Sequence, residues 1–152
     1  MYIYDFDKIQ KDYLTAALKA KKKGSQCAWI LAHNTAENTT IISDKYFMAI
    51  IPDDLVFVKS DNMLPDIKNL LRIVQPKYAL YPATNTGMKK TIDKETVCIF
   101  ETNNDTIYVN EKYIKYFAGM DCEIYGTTKK SPLQVYVNEN CVGVILPINH
   151  ND

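Results

Sequence analysis

The sequence predicts an α+β fold of two pseudo-repeated halves, each a helix packed on antiparallel strands. Three observations carry that expectation. One segment near the start has the 3.6-residue apolar period of a surface helix. Most of the remainder breaks into short apolar or alternating runs separated by clusters of Asn, Asp, Gly and Pro, as strands and turns do. The order helix-then-strands then recurs, which sets the halves at about 1–75 and 76–152. At 152 residues, 47% hydrophobic and 24% charged, residues 1–152 suit one domain with a real core and have neither a disordered nor a fibrous composition.

The helix runs from about Asp7 to Lys23. At 100° per residue, Ile9, Tyr13, Ala16, Ala17 and Ala20 share one face, while Lys8, Lys11, Thr15, Lys19 and Lys22 fall within roughly 80° of arc on the opposite one. Only Asp12 interrupts that lysine stripe. Asp5 or Asp7 can cap the start, and Gly24 suits the left-handed position that ends a helix. Strands are predicted at Cys27–Leu31, Thr39–Ser43 and Tyr46–Ile51, with turn residues Asn34–Asn38 between the first two and Pro52-Asp53-Asp54 closing the third. Leu55–Val58 is a candidate fourth strand. Between 59 and 92, Pro65, Pro76 and Pro82 punctuate the chain, leaving a short helix at Ile67–Ile73 and a polar loop at Thr84–Gly87.

In the second half, Thr96–Phe100 and Thr106–Val109 form a hairpin around Asn103-Asn104-Asp105. Asn110 caps a short helix, Glu111–Phe117, with Ile114 and Phe117 inward and Lys112 and Lys115 outward. Three further strands follow at Cys122–Tyr125, Leu133–Val137 and Val142–Leu146.

Net charge is zero, 18 Lys and Arg against 18 Asp and Glu, but the balance is a cancellation. Residues 1–33 hold six Lys against three Asp, and residues 34–66 hold two Lys against six acids. A protein that coats nucleic acid with its whole surface is excluded; one with a basic side and an acidic side is not. Arg72 is the single arginine, so bidentate guanidinium chemistry is confined to one position. The start, Met1-Tyr2-Ile3-Tyr4-Asp5, lacks the pattern of a signal peptide, and no apolar run approaches a membrane span. Cys27, Cys98, Cys122 and Cys141 are widely spaced, with no close pair for zinc. They read as reduced, mostly buried thiols of a cytoplasmic protein without membrane attachment.

The ordered series of local motifs resembles the DNA sliding clamps of the bacterial type, in particular reduced clamp-like proteins of mobile elements. Leu14-Thr15-Ala16-Ala17-Leu18-Lys19-Ala20 is similar to the first helix of a clamp domain. Ile42-Ser43-Asp44-Lys45-Tyr46-Phe47 is similar to the family's strand-turn-strand signature, and Leu64-Pro65-Asp66 to its Phe-Pro-Asp-Tyr segment. Val109–Ile114 fits the second helix, and Ser131–Ile148 resembles the final hairpin and its Val-Met-Pro-Met tail. Lys45 stands where the family has Gly, no Arg follows it, and Asn149 and His150 replace a basic end.

The resemblance implies the processivity fold, in which each domain turns two helices toward the ring's inside and strands toward its outside. A family subunit has three such domains and this chain has length for one, so a ring would require a homo-oligomer. On this resemblance Lys8, Lys11, Lys19, Lys22, Lys112 and Lys115 would contact the backbone of duplex DNA, which needs cations along a surface and no base reading. An outward lysine row is also what any solvated amphipathic helix presents. The family's pocket for short peptides of replication proteins corresponds to Tyr46, Met48, Val144, Leu146, Pro147 and Ile148. Val144 and Leu146 equally suit inward positions of a last strand.

No enzyme, metal or cofactor is expected. His33 and His150 have no metal-ligand spacing, five Gly form no phosphate loop, and Asp53, Asp54 and Asp61 lack calcium-loop spacing. Two further functions fit the residues. A phage- or plasmid-type accessory protein or inhibitor would bind host proteins without DNA, its acidic 34–66 stretch meeting a basic partner. A small cysteine-dependent enzyme would pair a thiol such as Cys27 with His33.

Overall fold

The structure, a computed structural model, describes residues 4–58 and 70–148. Expectations for Leu64-Pro65-Asp66, Asp61, Asn149, His150 and most of the Ile67–Ile73 helix lie outside the described residues; residues 70 and 71 are helical. The fold is mixed α+β, with antiparallel sheets and one main helix.

That helix, α1, spans Asp7–Lys23 as its period dictates. Asp5 Oδ1 accepts the Asp7 N–H at 3.2 Å, and Gly24, at φ 65°, turns the chain out of the helix. Ile9 and Tyr13 are buried. A meander follows: β1 (Ile30–Asn34), β2 (Thr39–Ser43) and β3 (Phe47–Pro52). After a short 3₁₀ turn the chain extends past Phe57, and beyond residue 76 it enters β4 (Tyr81–Pro82) and β5 (Thr84–Ile92). Next come β6 (Glu95–Glu101), β7 (Thr106–Asn110), the short helix α2 (Glu111–Lys115), β8 (Glu123–Gly126), β9 (Leu133–Val137) and β10 (Asn140–Ile145). Asn110 Oδ1 accepts the Lys112 N–H at 3.0 Å, so the predicted cap of α2 is formed.

Seven strands make one sheet in the order β1-β2-β3-β10-β9-β8-β4, and three make a second in the order β5-β6-β7. On the inner face of the large sheet, Ile42, Phe47, Ala49, Leu133 and Val135 share one core cluster with α1, α2 and the inward side of β6 and β7. On the outer face, Ala32, Ile41, Met48, Ile50 and Val144 pack with Leu70, Leu71 and Val74. Two buried glutamines fasten the chain to these faces. Gln10 on α1 donates to Leu55 O (3.1 Å) and accepts from Phe57 N (2.8 Å). Gln134 on β9 donates to Ile73 O (2.6 Å) and accepts from Gln75 N (3.0 Å).

Three expectations are corrected. β1 starts at Ile30 rather than Cys27, because its ladder to β2 begins with Ile30 opposite Ser43. Leu55–Val58 is no strand; Leu55 ends a 3₁₀ turn and residues 56–58 are extended, with Leu55 O and Phe57 N–H bonded to the Gln10 amide instead of a ladder. Thr84–Gly87 is not a loop but the start of β5, an edge strand whose register slips between Asn85 and Lys89. Gly87 at φ 80° sits inside that irregularity, and Thr86 Oγ1 donates to Ile99 O at 2.8 Å across it.

A candidate nucleic-acid face and an outer-sheet pocket

The two helices lie side by side on the inner face. Tyr116, just past α2, donates its hydroxyl to Asp12 of α1 at 2.6 Å, and Tyr113 donates to Asp44 in the β2–β3 turn at 2.9 Å. The rings of Tyr113 and Tyr116 stack on Phe47 at 5.0 and 5.1 Å between centroids. Asp44 also accepts from the backbone N–H groups of Tyr46 (2.7 Å) and Phe47 (3.0 Å), so one carboxylate fixes both the turn and the helix. Burial, then the neighbouring carboxylate charges, pushes both tyrosine hydroxyls well above their ordinary ionisation range.

That shift has a testable sign. The folded state keeps both protons where the unfolded chain, with ordinary tyrosines, begins to lose them near pH 10. The stabilisation is therefore whole below pH 10 and falls as pH rises beyond it, by about 1.4 kcal/mol per pH unit for each tyrosine. Urea midpoints between pH 9 and 12 should drop accordingly, and more shallowly in Tyr113→Phe and Tyr116→Phe. An identical alkaline slope in these variants would refute the assignment.

All six predicted lysines are exposed on the helices, and they are not equivalent. Lys8 pairs with Asp12 at 2.9 Å one turn on, Lys115 pairs with Glu111 at 3.3 Å, and Lys112 lies 4.9 Å from the centre of the Tyr113 ring. Lys11, Lys19 and Lys22 have no ion pair among the described residues. Lys89 also reaches Glu111, and it, followed by Lys115, holds the Glu111 carboxyl below its ordinary range. The Lys8–Asp12 and Glu111–Lys115 pairs follow from i,i+4 spacing; Lys89, on a strand, gave no such signal.

The six predicted partner residues divide. Met48, Val144 and Leu146 border a pocket of about 120 Å³ on the outer face, together with Ser43, Leu70 and Ile73. Met48 and Val144 are 2% and 1% exposed, and the pocket is open at Leu146 (37%) and Ile73 (38%). Tyr46 is exposed and turns to the Tyr113 ring, 6.4 Å away. Pro147 and Ile148 leave the pocket, with Ile148 N–H donating to Tyr108 O on β7 at 2.7 Å. Leu70 and Ile73 lie in the segment expected as a short helix, Ile67–Ile73, but no motif marked them as pocket residues.

Burial disfavours the thiolate at three of the four cysteines. Burial pushes Cys98 and Cys122 up, and Cys141, in an open groove of about 1250 Å³ past Gln75, Tyr78 and Tyr136, is pushed up to about 11. His33 turns to Asp53 (3.2 Å) and Thr40 (3.4 Å). Among the described residues no three His, Cys, Asp or Glu side chains gather as a metal would require, and no helix is long and apolar enough to cross a membrane. The chain matches no family model, no curated protein and no solved structure in the comparisons made.

Proposed function

We propose that the chain is a non-enzymatic clamp-like domain of DNA metabolism that rests on the duplex backbone through its helix lysines and holds protein partners at the outer sheet face. One observation carries the proposal: six neighbouring strands of the large sheet run β1-β2-β3-β10-β9-β8, with β4 added beyond β8 at the edge. Two three-strand meanders, each preceded by a helix, meet at their last strands, β3 against β10. That junction supports a repeat of helix-plus-strands only within these six strands, since β4 and the β5-β6-β7 sheet have no counterpart in the first half. Both helices sit on the same side of the sheet, so their lysines face one surface, and duplex phosphates reward cations spaced over a surface rather than clustered at a point. As a single domain, the chain would close a ring only with further copies.

The test is a titration of duplex DNA at several salt concentrations. With three or four phosphates engaged, log K should fall with log salt at a slope of about −3. Lys19→Glu with Lys22→Glu should remove the binding, since the pair lies on the last two turns of α1 without internal carboxylates. Absence of binding at low salt would dispose of the DNA contact.

A second function is favoured by the engaged lysines. Lys8, Lys112 and Lys115 spend their charge on Asp12, Tyr113 and Glu111. A phage- or plasmid-type accessory protein or inhibitor, retaining the fold but binding host proteins alone, would have that weakened face. It predicts no DNA affinity in the same titration.

A further inference from the structure

We infer that α1 pairs with α1 of a second copy of this chain, antiparallel and centred on Leu14. The flank of α1 between the core and the lysine row, sharing Lys11 with that row, carries Asp7, Lys11, Leu14, Leu18 and Lys21, spaced four, three, four and three residues apart. That is the spacing of a helix–helix seam. Leu14 and Leu18 are 38% and 58% exposed, high for leucines on a helix that already buries another face.

The apolar strip extends beyond the helix. Gln10, one turn before Leu14, holds the backbone of Leu55 and Phe57 against α1. Leu55 ends the 3₁₀ turn Asp53–Leu55, and the chain is extended from Val56. Val56 packs against the core, and Leu55 and Phe57 remain 40% and 52% exposed. Leu14 and Leu18 are thus exposed on α1, and Leu55 and Phe57 are exposed on the segment that Gln10 ties to it.

Charge selects the occupant. Asp7 lies at one end of the seam and Lys21 at the other, and neither has an ion-pair partner within the chain among the described residues. Antiparallel pairing about Leu14 sets Leu14 against its own counterpart and lays Leu18 along the stem of the partner's Lys11. Asp7 then meets the partner's Lys21, and Lys21 the partner's Asp7. Parallel pairing would instead set like charges together at both ends. The seam is thus complementary to itself in one orientation, the requirement for a closed two-fold contact. The pairing overlaps the proposed DNA face at Lys11, which lies in the seam, and at Lys22, about 40° from Leu18, whereas Lys8 and Lys19 point about a quarter turn away.

Sedimentation equilibrium of the full chain tests it. A strip of this size belongs with small, reversible interfaces. The mass should rise from 17.4 kDa toward twice that value between about 1 and 200 µM. Leu18→Glu, at an exposed site, should keep the chain monomeric throughout, with its circular dichroism unchanged. Asp7→Lys and Lys21→Asp should each weaken association about tenfold. Combined in one chain, the two substitutions should restore it, because the swapped charges again meet opposites. A monomer at every concentration overturns the inference. So does association indifferent to Leu18→Glu, or a charge swap that fails to restore it.

Discussion

Alanine at position 143 is expected to destabilise the fold by about 1–3 kcal/mol, and valine by more. A Cβ built on Gly143 would collide with Phe117 Cζ and lie 2.6 Å from Cε1, closer than non-bonded carbons tolerate. Phe117 is 2% exposed and belongs to the main core cluster, so the ring has no open direction in which to retreat. The obstacle is steric rather than conformational, since Gly143 does not occupy the left-handed region. On β10, Gly143 stands opposite Ala49 of β3 and Val135 of β9, so small residues face each other where the two meanders join. Phe117 fills the space they leave, and in doing so fixes the turn after α2 to the middle of the sheet.

Phe117→Ala should accordingly cost about 3–5 kcal/mol. The coupling is the sharper measurement. Gly143→Ala and Phe117→Leu together should cost less than the sum of the two, by roughly 0.5–3 kcal/mol, in a urea double-mutant cycle. Strict additivity would mean that the ring and the missing side chain do not share one space. Because this contact seats α2 beside α1, its loss should also shift the Tyr116–Asp12 bond and with it the arrangement of the lysine face.

What the sequence made legible follows from how local each signal was. α1 reads directly because period, cap and Gly24 agree along one stretch, and α2 because Asn110 announces it. Thr39–Ser43, Leu133–Val137 and most of β3 and β10 read as strands because the sheet is buried on both faces there and the runs are rich in β-branched and apolar residues. β5 was hidden for the opposite reason. Its sequence, Thr-Asn-Thr-Gly-Met-Lys-Lys-Thr-Ile, is that of an exposed edge with a bulge, guarded by Lys89 and Lys90, and carries no alternation. Leu55–Val58 misled because alternation reports which side chains are buried, not whether a neighbouring strand exists. The lysine row was legible as a row, and two of its ion pairs from helical spacing. The contacts Phe117–Gly143, Tyr113–Asp44 and Tyr116–Asp12 join residues far apart in the chain, for which a single sequence holds no local mark.

Gln134→Leu should cost about 1–3 kcal/mol and release one end of the segment that covers the outer sheet face. The side chain is 1% exposed, in the middle of β9, a position that the pattern of its neighbours reserves for an apolar residue. Its amide works as a piece of backbone, giving a proton to Ile73 O and taking one from Gln75 N. Leucine preserves the volume and leaves both main-chain groups without partners, which is costlier than never having had the bonds. Leu70, Leu71 and Val74 lie just ahead of this anchor and cover Met48 and Val144. Hydrogen exchange should therefore quicken at the Gln75 amide in Gln134→Leu while Phe57 keeps its protection. Gln10→Leu, which unpairs Leu55 O and Phe57 N on the inner face, should reverse the pattern. If either variant quickened both amides equally, the two glutamines would be acting only through global stability. Selective release at Gln75 would instead make the wall of the Met48–Val144–Leu146 pocket a unit that opens separately from the sheet, with Leu70 and Ile73 leaving together.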